Sequence, residues 1–285
     1  MADEYFKYKG IDFFAEIYSE ENMSFVENHF QVLDDDIFIV TYPKSGTVWM
    51  MEIISLIRKN GDPSWCKTVP VWDRAPWLYS TAGLKLLQTY KPPRLLTSHV
   101  TVDIFPKSAF NSKAKIIYVY RNPKDVLVSL YCYARIVSFF KTPESFDQFL
   151  NLFLNGNVPF GSWFDHVKGW MGIKDKSNIL FITYEELLKD LRGSVQKIST
   201  FVGKELDEKA IDAIVENASF KSMKENKMAN FTLVPADLID QKDGSFIRKG
   251  ISGDWRNHFT DQQKEHFDKV YKEKMKDLSV KLIWD

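Results

Sequence analysis

The chain has 285 residues, with 38 basic and 38 acidic side chains and a formal net charge of zero. That balance excludes a protein that works by bulk attraction to DNA, RNA or an anionic membrane, which needs a basic excess, but it leaves room for a local cationic site for a small anion. Aromatic residues make up 15%, with 22 Phe and 8 Trp, enough to line a pocket as well as fill a core. Taken in chain order, the N-terminal stretch carries Asp3, Glu4, Lys7 and Lys9 and has no apolar run of the signal-peptide kind. Cys66 and Cys132 make neither a CxxC pair nor a metal-ligand spacing, so reduced thiols and no metal are expected. No apolar run approaches the roughly 18 to 20 residues that a bilayer span needs. A soluble cytoplasmic protein, with neither nucleic acid nor membrane as partner, is the expectation. Short β-branched apolar runs predict strands at 37–42, 94–98, 115–120 and 178–183. Their apolarity is continuous rather than alternating, as in a parallel sheet buried on both faces. Helical spacing predicts helices at 47–59, from Asn122-Pro123 onward, and at 145–154, 162–173, 187–201, 207–216 and 261–276. No repeat, low-complexity tract or linker divides the chain, so residues 1–285 are expected to form a single α/β domain, a mainly parallel sheet flanked by helices.

In such a fold ligands sit at the carboxyl ends of the strands, so the residues that follow each strand deserve reading first. The first strand runs into Thr41-Tyr42-Pro43-Lys44-Ser45-Gly46-Thr47-Val48-Trp49 and then a helix. Backbone N–H groups at a helix N-terminus, a Lys and two hydroxyls make a P-loop-like anion site. The Walker pattern GxxxxGK[ST] is absent, because Lys44 precedes the only Gly. The bland alternative is an ordinary turn with a solvated Lys. Of five histidines, only His99, in Leu96-Thr97-Ser98-His99, directly follows a strand. A neutral imidazole there could accept a proton, although a strand-end His is as readily a hydrogen-bonded structural residue.

At this point the chain resembles the cytosolic sulfotransferases. Tyr42-Pro43-Lys44-Ser45-Gly46-Thr47-x-Trp49 is similar to that family's 5'-phosphosulfate loop. Tyr120-Arg121-Asn122-Pro123-Lys124-Asp125-Val126 with Ser129 is similar to its 3'-phosphate segment, and Arg248-Lys249-Gly250-x-x-Gly253-Asp254-Trp255 to its second 3'-phosphate loop. Phe160-Gly161-Ser162-Trp163-Phe164-Asp165-His166 and Thr183-Tyr184-Glu185-Glu186 also match, so the resemblance spans essentially the whole chain. It implies transfer of sulfonate from 3'-phosphoadenylyl sulfate (PAPS) to a small hydrophobic acceptor, leaving PAP, with no metal. It also implies the site. Lys44, Ser45, Gly46 and Thr47 would hold the phosphosulfate, with Val48 beside them. Arg121, Ser129, Arg248, Lys249 and Gly250 would hold the 3'-phosphate. Trp49, Phe220, Tyr184, Ala218 and Met223 would surround the adenine. His99 would be the base, Lys44 the cation at the bridging oxygen, and Ser129 would position Lys44. Two phosphate-facing Arg residues make physical sense, because a planar guanidinium matches phosphate oxygens.

Some positions depart from the family pattern. Val48 and Ala218 stand where polar residues are common, and His99-Val100-Thr101 replaces His-Leu-Pro. The resemblance implies a homodimer through a short C-terminal motif, here 256–265, in which Asp261 replaces an apolar residue. The acceptor pocket is expected from Phe14, Trp72, Trp77, Tyr133, Phe139 and Phe231. Trp72, Trp77 and Ser222 to Met228 resemble the hydroxysteroid branch, whereas Val48, Ala218, Tyr120-Arg121-Asn122-Pro123-Lys124-Asp125 and the ending Ile283-Trp284-Asp285 resemble the amine branch. A steroid-like or phenolic hydroxyl is the favoured acceptor, with an amine as the alternative. Asp73, expected beside the pocket and paired to Arg74, is the acid an amine would use. A kinase with an atypical phosphate loop and a non-catalytic nucleotide binder are the competing readings. The first needs a Walker loop and the second would lack Lys44 or His99.

Overall fold

A computed structural model describes residues 4–242 and 244–278. The chain opens with a hairpin, β1 (Tyr5–Tyr8) and β2 (Ile11–Phe14), which the sequence reading missed. Its two-residue turn, Lys9-Gly10, has both φ angles positive, at 49° and 82°. That is the geometry two-residue hairpins require, but Lys at the first position hides it from the usual Asn-Gly or Asp-Gly cue. Helix α1 (Glu20–Asn28) follows and leads to the first strand of the main sheet.

That sheet has four parallel strands, β3 (Ile37–Thr41), β4 (Leu95–Ser98), β5 (Lys115–Tyr120) and β6 (Ile179–Thr183), in the order β4-β3-β5-β6. All four lie where the sequence reading expected them. Phe38, Ile39, Val40, Leu95, Leu96, Ile117, Tyr118 and Val119 are wholly buried, which is why their apolarity is continuous. Chain order runs outward from β3 in both directions. The crevice at its carboxyl end is therefore the place where connections diverge and a ligand fits.

Helix α2 (Thr47–Arg58) leaves β3 directly, and α3 (Ser64–Thr68), α4 (Val71–Arg74) and α5 (Thr81–Leu87) lead on to β4. These three short helices fall below the length at which helical periodicity is legible. Helix α6 (Pro123–Ala134) begins as its sequence implies, with Pro at the first turn and Asn122 Oδ1 accepting from the Lys124 N–H. Helices α7 (Phe146–Asn155) and α8 (Trp163–Met171) precede β6. The helix expected at 187–201 is two, α9 (Tyr184–Lys189) and α10 (Leu191–Phe201). Asp190, with φ −148° and ψ 83°, breaks the run, and its carboxylate accepts from the Gly193 N–H to cap the second helix. Helices α11 (Glu208–Asn217), α12 (Phe220–Glu225) and α13 (Asp261–Lys274) are the last α-helices among the described residues.

One buried ion pair ties α4 to α2. Arg74 Nη2 lies 2.6 Å from Glu52 Oε2, and both side chains are inaccessible to solvent. Arg74 Nε also donates to the Val69 carbonyl and Nη1 to Cys66 Sγ. Arg74→Met would strand the Glu52 carboxylate in the core. We expect a loss of about 3 to 5 kcal/mol of stability in urea unfolding, with part of it recovered in the Glu52→Gln, Arg74→Met double variant.

Candidate active site

The turn between β3 and α2 is built for an anion. Lys44 sits at φ 67° and Gly46 at φ 105° as the α2 N-cap, where no side chain caps the helix. The first N–H groups of a twelve-residue helix are thus left facing the loop. Ser45 is fully buried with its Oγ lacking a protein partner, and Thr47 Oγ1 sits 2.7 Å from Thr41 Oγ1. A cleft of about 850 Å³ opens over this turn. Lys44, Gly46, Thr47, Val48 and Trp49 line it, and the residues after each remaining strand join them: His99 after β4, Arg121 after β5 and Tyr184 after β6.

At one end of the cleft the cations meet. Arg121 ties two loops together: Nη1 donates to the Lys44 carbonyl (3.2 Å) and Nη2 to the Ile251 carbonyl (2.9 Å). Its Nε is buried and has no protein partner. Arg248 and Lys249 reach the same region, held at 2.7 and 2.6 Å by the carboxylate of Asp254. Burial alone would raise the Asp254 carboxyl. Hydrogen bonds from Lys249, Asn257 and Arg248 instead hold it far below the usual carboxylate range. Asp125 of α6 fixes the same loop by accepting from the N–H groups of Gly253 (2.7 Å) and Trp255 (3.0 Å). In the sequence Asp125 and Asp254 are visible only as members of their motifs. Their roles as anchors appear only once residues about 128 positions apart are brought together.

The aromatic wall beside these cations is close-fitting. Trp49 Nε1 donates to the Ala218 carbonyl (2.8 Å), and its ring meets Tyr184 edge-on at 5.2 Å. Arg121 lies 4.1 Å over the Tyr184 ring. Phe220, Met223 and Gly250 also line the cleft. A Cβ on Gly250, at φ 66°, would fall 2.1 Å from the Phe220 ring. Gly250→Ala should therefore displace either the loop or the ring. We expect the affinity for PAP, the product that the sequence resemblance implies, to weaken by about tenfold or more in calorimetry, a cost above roughly 1.4 kcal/mol.

Two expected donor residues differ from the rest. Ser45 and Ala218 contribute no side chain to the cleft wall. Ala218 is fully buried where α11 ends and reaches the site only through its carbonyl, while Ser45 is drawn under the turn by its N–H to the Tyr42 carbonyl.

Between the two ends stand Lys44 and His99. The Lys44 ammonium lies 4.3 Å from the Tyr133 ring and 4.2 Å from the Phe246 ring. Burial, with the charges of Arg121 and Arg248 and against that of Cys132, lowers it from its ordinary 10.5 to about 7. Phe246 was invisible to sequence reasoning, which had no spacing to link it to Lys44. Ser129 also lines the cleft. His99 Nδ1 is 2.8 Å from the Thr41 carbonyl and 3.0 Å from Thr41 Oγ1. A carbonyl can only accept, so Nδ1 carries the proton and Nε2 keeps its lone pair. Burial lowers His99 from 6.5 to about 4; the Thr41 bond opposes this and the Lys44 charge adds to it. The ring packs 4.5 Å from Trp77 and 5.2 Å from Phe160.

The other end is apolar. Phe14, Trp72, Trp77, Tyr133, Phe139 and Phe231, all expected, line the cleft, joined by Phe140, Phe160 and Phe246. The hairpin places Phe14 there, 5.0 Å from Phe139. Contrary to the expectation from sequence, Asp73 does not line this cleft. It lines a separate groove with Trp65 and Tyr90, and Arg74 pairs with Glu52 instead. In a helix of one turn, turning Trp72 toward the cleft turns the next residue away. Among the described residues, the acid that lines the cleft is Glu16, in an exposed position. Segment 256–265 runs from a short 3₁₀ turn into α13, and its Arg256, Asn257, Asp261 and Glu265 are exposed. The Ile283-Trp284-Asp285 ending lies outside the described residues. Among the described residues no cluster of three metal-type side chains occurs, and no helix is long and apolar enough to cross a membrane.

Comparison with known proteins agrees with this geometry. Residues 34–279 match the family described as sulfotransferase domain. The chain is 55% identical over 285 residues to sulfotransferase 2B1 of Rattus norvegicus, covering 100% of this chain and 84% of that one. It is 46% identical to a 3-beta-hydroxysteroid sulfotransferase of Cavia porcellus, covering 100% and 99%. Among solved structures, mouse sulfotransferase SULT7A1 complexed with PAP superposes with a TM-score of 0.82 at 34% identity, covering 97% of this chain and 95% of that chain. With a matched domain over most of its length and relatives near half identity, the chain is an enzyme of the sulfotransferase family.

Proposed function

We propose that this enzyme transfers the sulfonate of PAPS to a hydroxyl group of a steroid-like acceptor, with residues 1–285 acting as one domain. The observation that carries the reading is a single cleft with a cationic end, an aromatic end and His99 between them. PAPS carries about four negative charges in two groups, which calls for cations from two directions. Lys44, the α2 N-terminus and Thr47 would take the phosphosulfate. Arg121, Arg248 and Lys249 would take the 3'-phosphate. The buried, unpartnered Nε of Arg121, a residue that lines the cleft, is a polar atom that such a ligand would satisfy. The adenine would lie among Trp49, Tyr184 and Phe220.

In the reaction the acceptor oxygen attacks sulfur while its proton passes to the free Nε2 of His99. The bond from sulfur to the phosphate oxygen breaks, and PAP leaves with the bonding pair. Charge grows on that phosphate oxygen, and Lys44 is the cation placed to offset it. Ser129 would steady Lys44. The relative from Cavia porcellus is named for 3-beta-hydroxysteroids, and the rigid aromatic walls suit a flat apolar skeleton. With Asp73 outside the cleft, an amine acceptor loses the carboxylate it was expected to use. The test is turnover with labelled PAPS across steroid alcohols, phenols and aryl amines. We expect steroid alcohols to give the highest kcat/KM. Transfer only to amines would overturn the acceptor class, and transfer to none would overturn the function.

A further inference from the structure

The His99 base is gripped at its ring by Thr41, Trp77 and Phe160, but what holds its backbone lies one layer deeper. His166 of α8 is wholly buried, with Nε2 3.1 Å from the His99 carbonyl and Nδ1 2.8 Å from the Tyr118 hydroxyl. A carbonyl oxygen only accepts, so Nε2 must carry the proton. In the neutral ring Nδ1 then accepts, and Tyr118 donates to it. Burial, with neighbouring His99, drives His166 down to about 3, so the ring stays neutral in this arrangement. Tyr118 stacks on the imidazole at 5.7 Å and 23°, and Tyr42 meets it edge-on at 5.5 Å. One turn further along α8, Trp170 Nε1 donates to the Val100 carbonyl (3.2 Å). Two successive carbonyls of the turn that carries the base are thus pegged by one helix, in register with β5 through Tyr118.

We infer that His166 is a positioning residue for His99: its Nε2–H, with the tautomer fixed by Tyr118, holds the His99 carbonyl and so aims the catalytic imidazole. His166 itself touches neither donor nor acceptor, since it does not line the cleft. The inference rests on the proposed sulfonate transfer, because it concerns the aim of that reaction's base. It predicts a chemical asymmetry. A Gln side chain can set its amide N–H where Nε2 stood, whereas Asn reaches only the Nδ1 position.

The experiment compares His166→Gln, His166→Asn and Tyr118→Phe with wild type, using PAPS and a steroid alcohol, with rates normalised to sites titrated with PAP. We expect His166→Asn to lower kcat by about tenfold or more, a misplacement effect, with both KM values within about twofold of wild type. His166→Gln should keep kcat within about threefold, and Tyr118→Phe should fall between the two, without a shift in KM. Equal kcat in Gln and Asn variants, or losses confined to KM or to the fraction folded, would overturn the inference. Should His166→Asn not fold, a kcat in Tyr118→Phe equal to wild type overturns it as well. A wild-type enzyme that transfers no sulfonate would overturn the underlying function instead.

Discussion

His99→Ala is expected to lower kcat by about 100- to 10,000-fold, the range for removing a positioned general base, while PAP binding changes little. The separation follows from the geometry. His99 stands among Trp77, Phe160 and Thr41, whereas the cations that would hold the donor come from the α2 turn, β5 and the 248–254 loop. Its Nδ1 proton is committed to Thr41, so the only free basic atom is Nε2. A low value, about 4, keeps the imidazole neutral throughout the working range but makes it a poor base before the donor arrives. A bound polyanion raises it toward its ordinary value, so base strength grows as the site fills. Steady-state rates with saturating PAPS, beside calorimetric titration with PAP, check both halves. Retained turnover in His99→Ala would assign the base elsewhere.

Donor binding should take up a proton at mildly alkaline pH. In the free protein Lys44 loses its proton as pH rises through about 7, because burial between Tyr133 and Phe246 and the charges of Arg121 and Arg248 outweigh Cys132. An anionic donor favours the charged amine and raises its value when bound. The sign is therefore fixed. Affinity is greatest where free Lys44 is already charged, below about pH 7, and falls by up to about tenfold per pH unit above it. At pH 8 roughly 0.9 proton should be taken up per PAP bound, since a phosphate with second pKa near 6 is already ionised there. Calorimetry in buffers of different ionisation enthalpy measures that number. Lys44→Met should abolish the uptake, and an uptake near zero in wild type would show that Lys44 is charged before binding.

Much of the site was legible because its chemistry follows short local patterns. The turn at Lys44–Thr47, the strand-end His99 and the Asn122-Pro123 helix start each rest on neighbouring residues. The four core strands were legible for the same reason, being short runs buried on both faces. What escaped depends on contacts between distant segments. Phe246 meets Lys44 across about two hundred residues, and Asp125 anchors a loop near Gly253. The Lys9-Gly10 hairpin lacked its usual turn residues, and α3, α4 and α5 were too short to show a period. Asp73 was misplaced because a single helical turn turns neighbouring residues to different sides, so that Trp72 reaches the cleft and Asp73 a separate groove. The zero net charge with which the sequence opens is likewise a sum that hides local structure: Arg121, Arg248 and Lys249 gather at one end of one cleft, beside the anchoring carboxylates Asp125 and Asp254, and Lys44 lines the same cleft.

The meeting of donor and acceptor in this one cleft, at His99, is the core of the proposed reaction. Its most direct test is the stoichiometry of products from PAPS and a 3-hydroxysteroid with the wild-type enzyme, followed by chromatography over a single time course. PAP and steroid sulfate ester should appear in equal amounts, with both lost together in His99→Ala. PAP released without ester, or ester formed at the wild-type rate by His99→Ala, would contradict it.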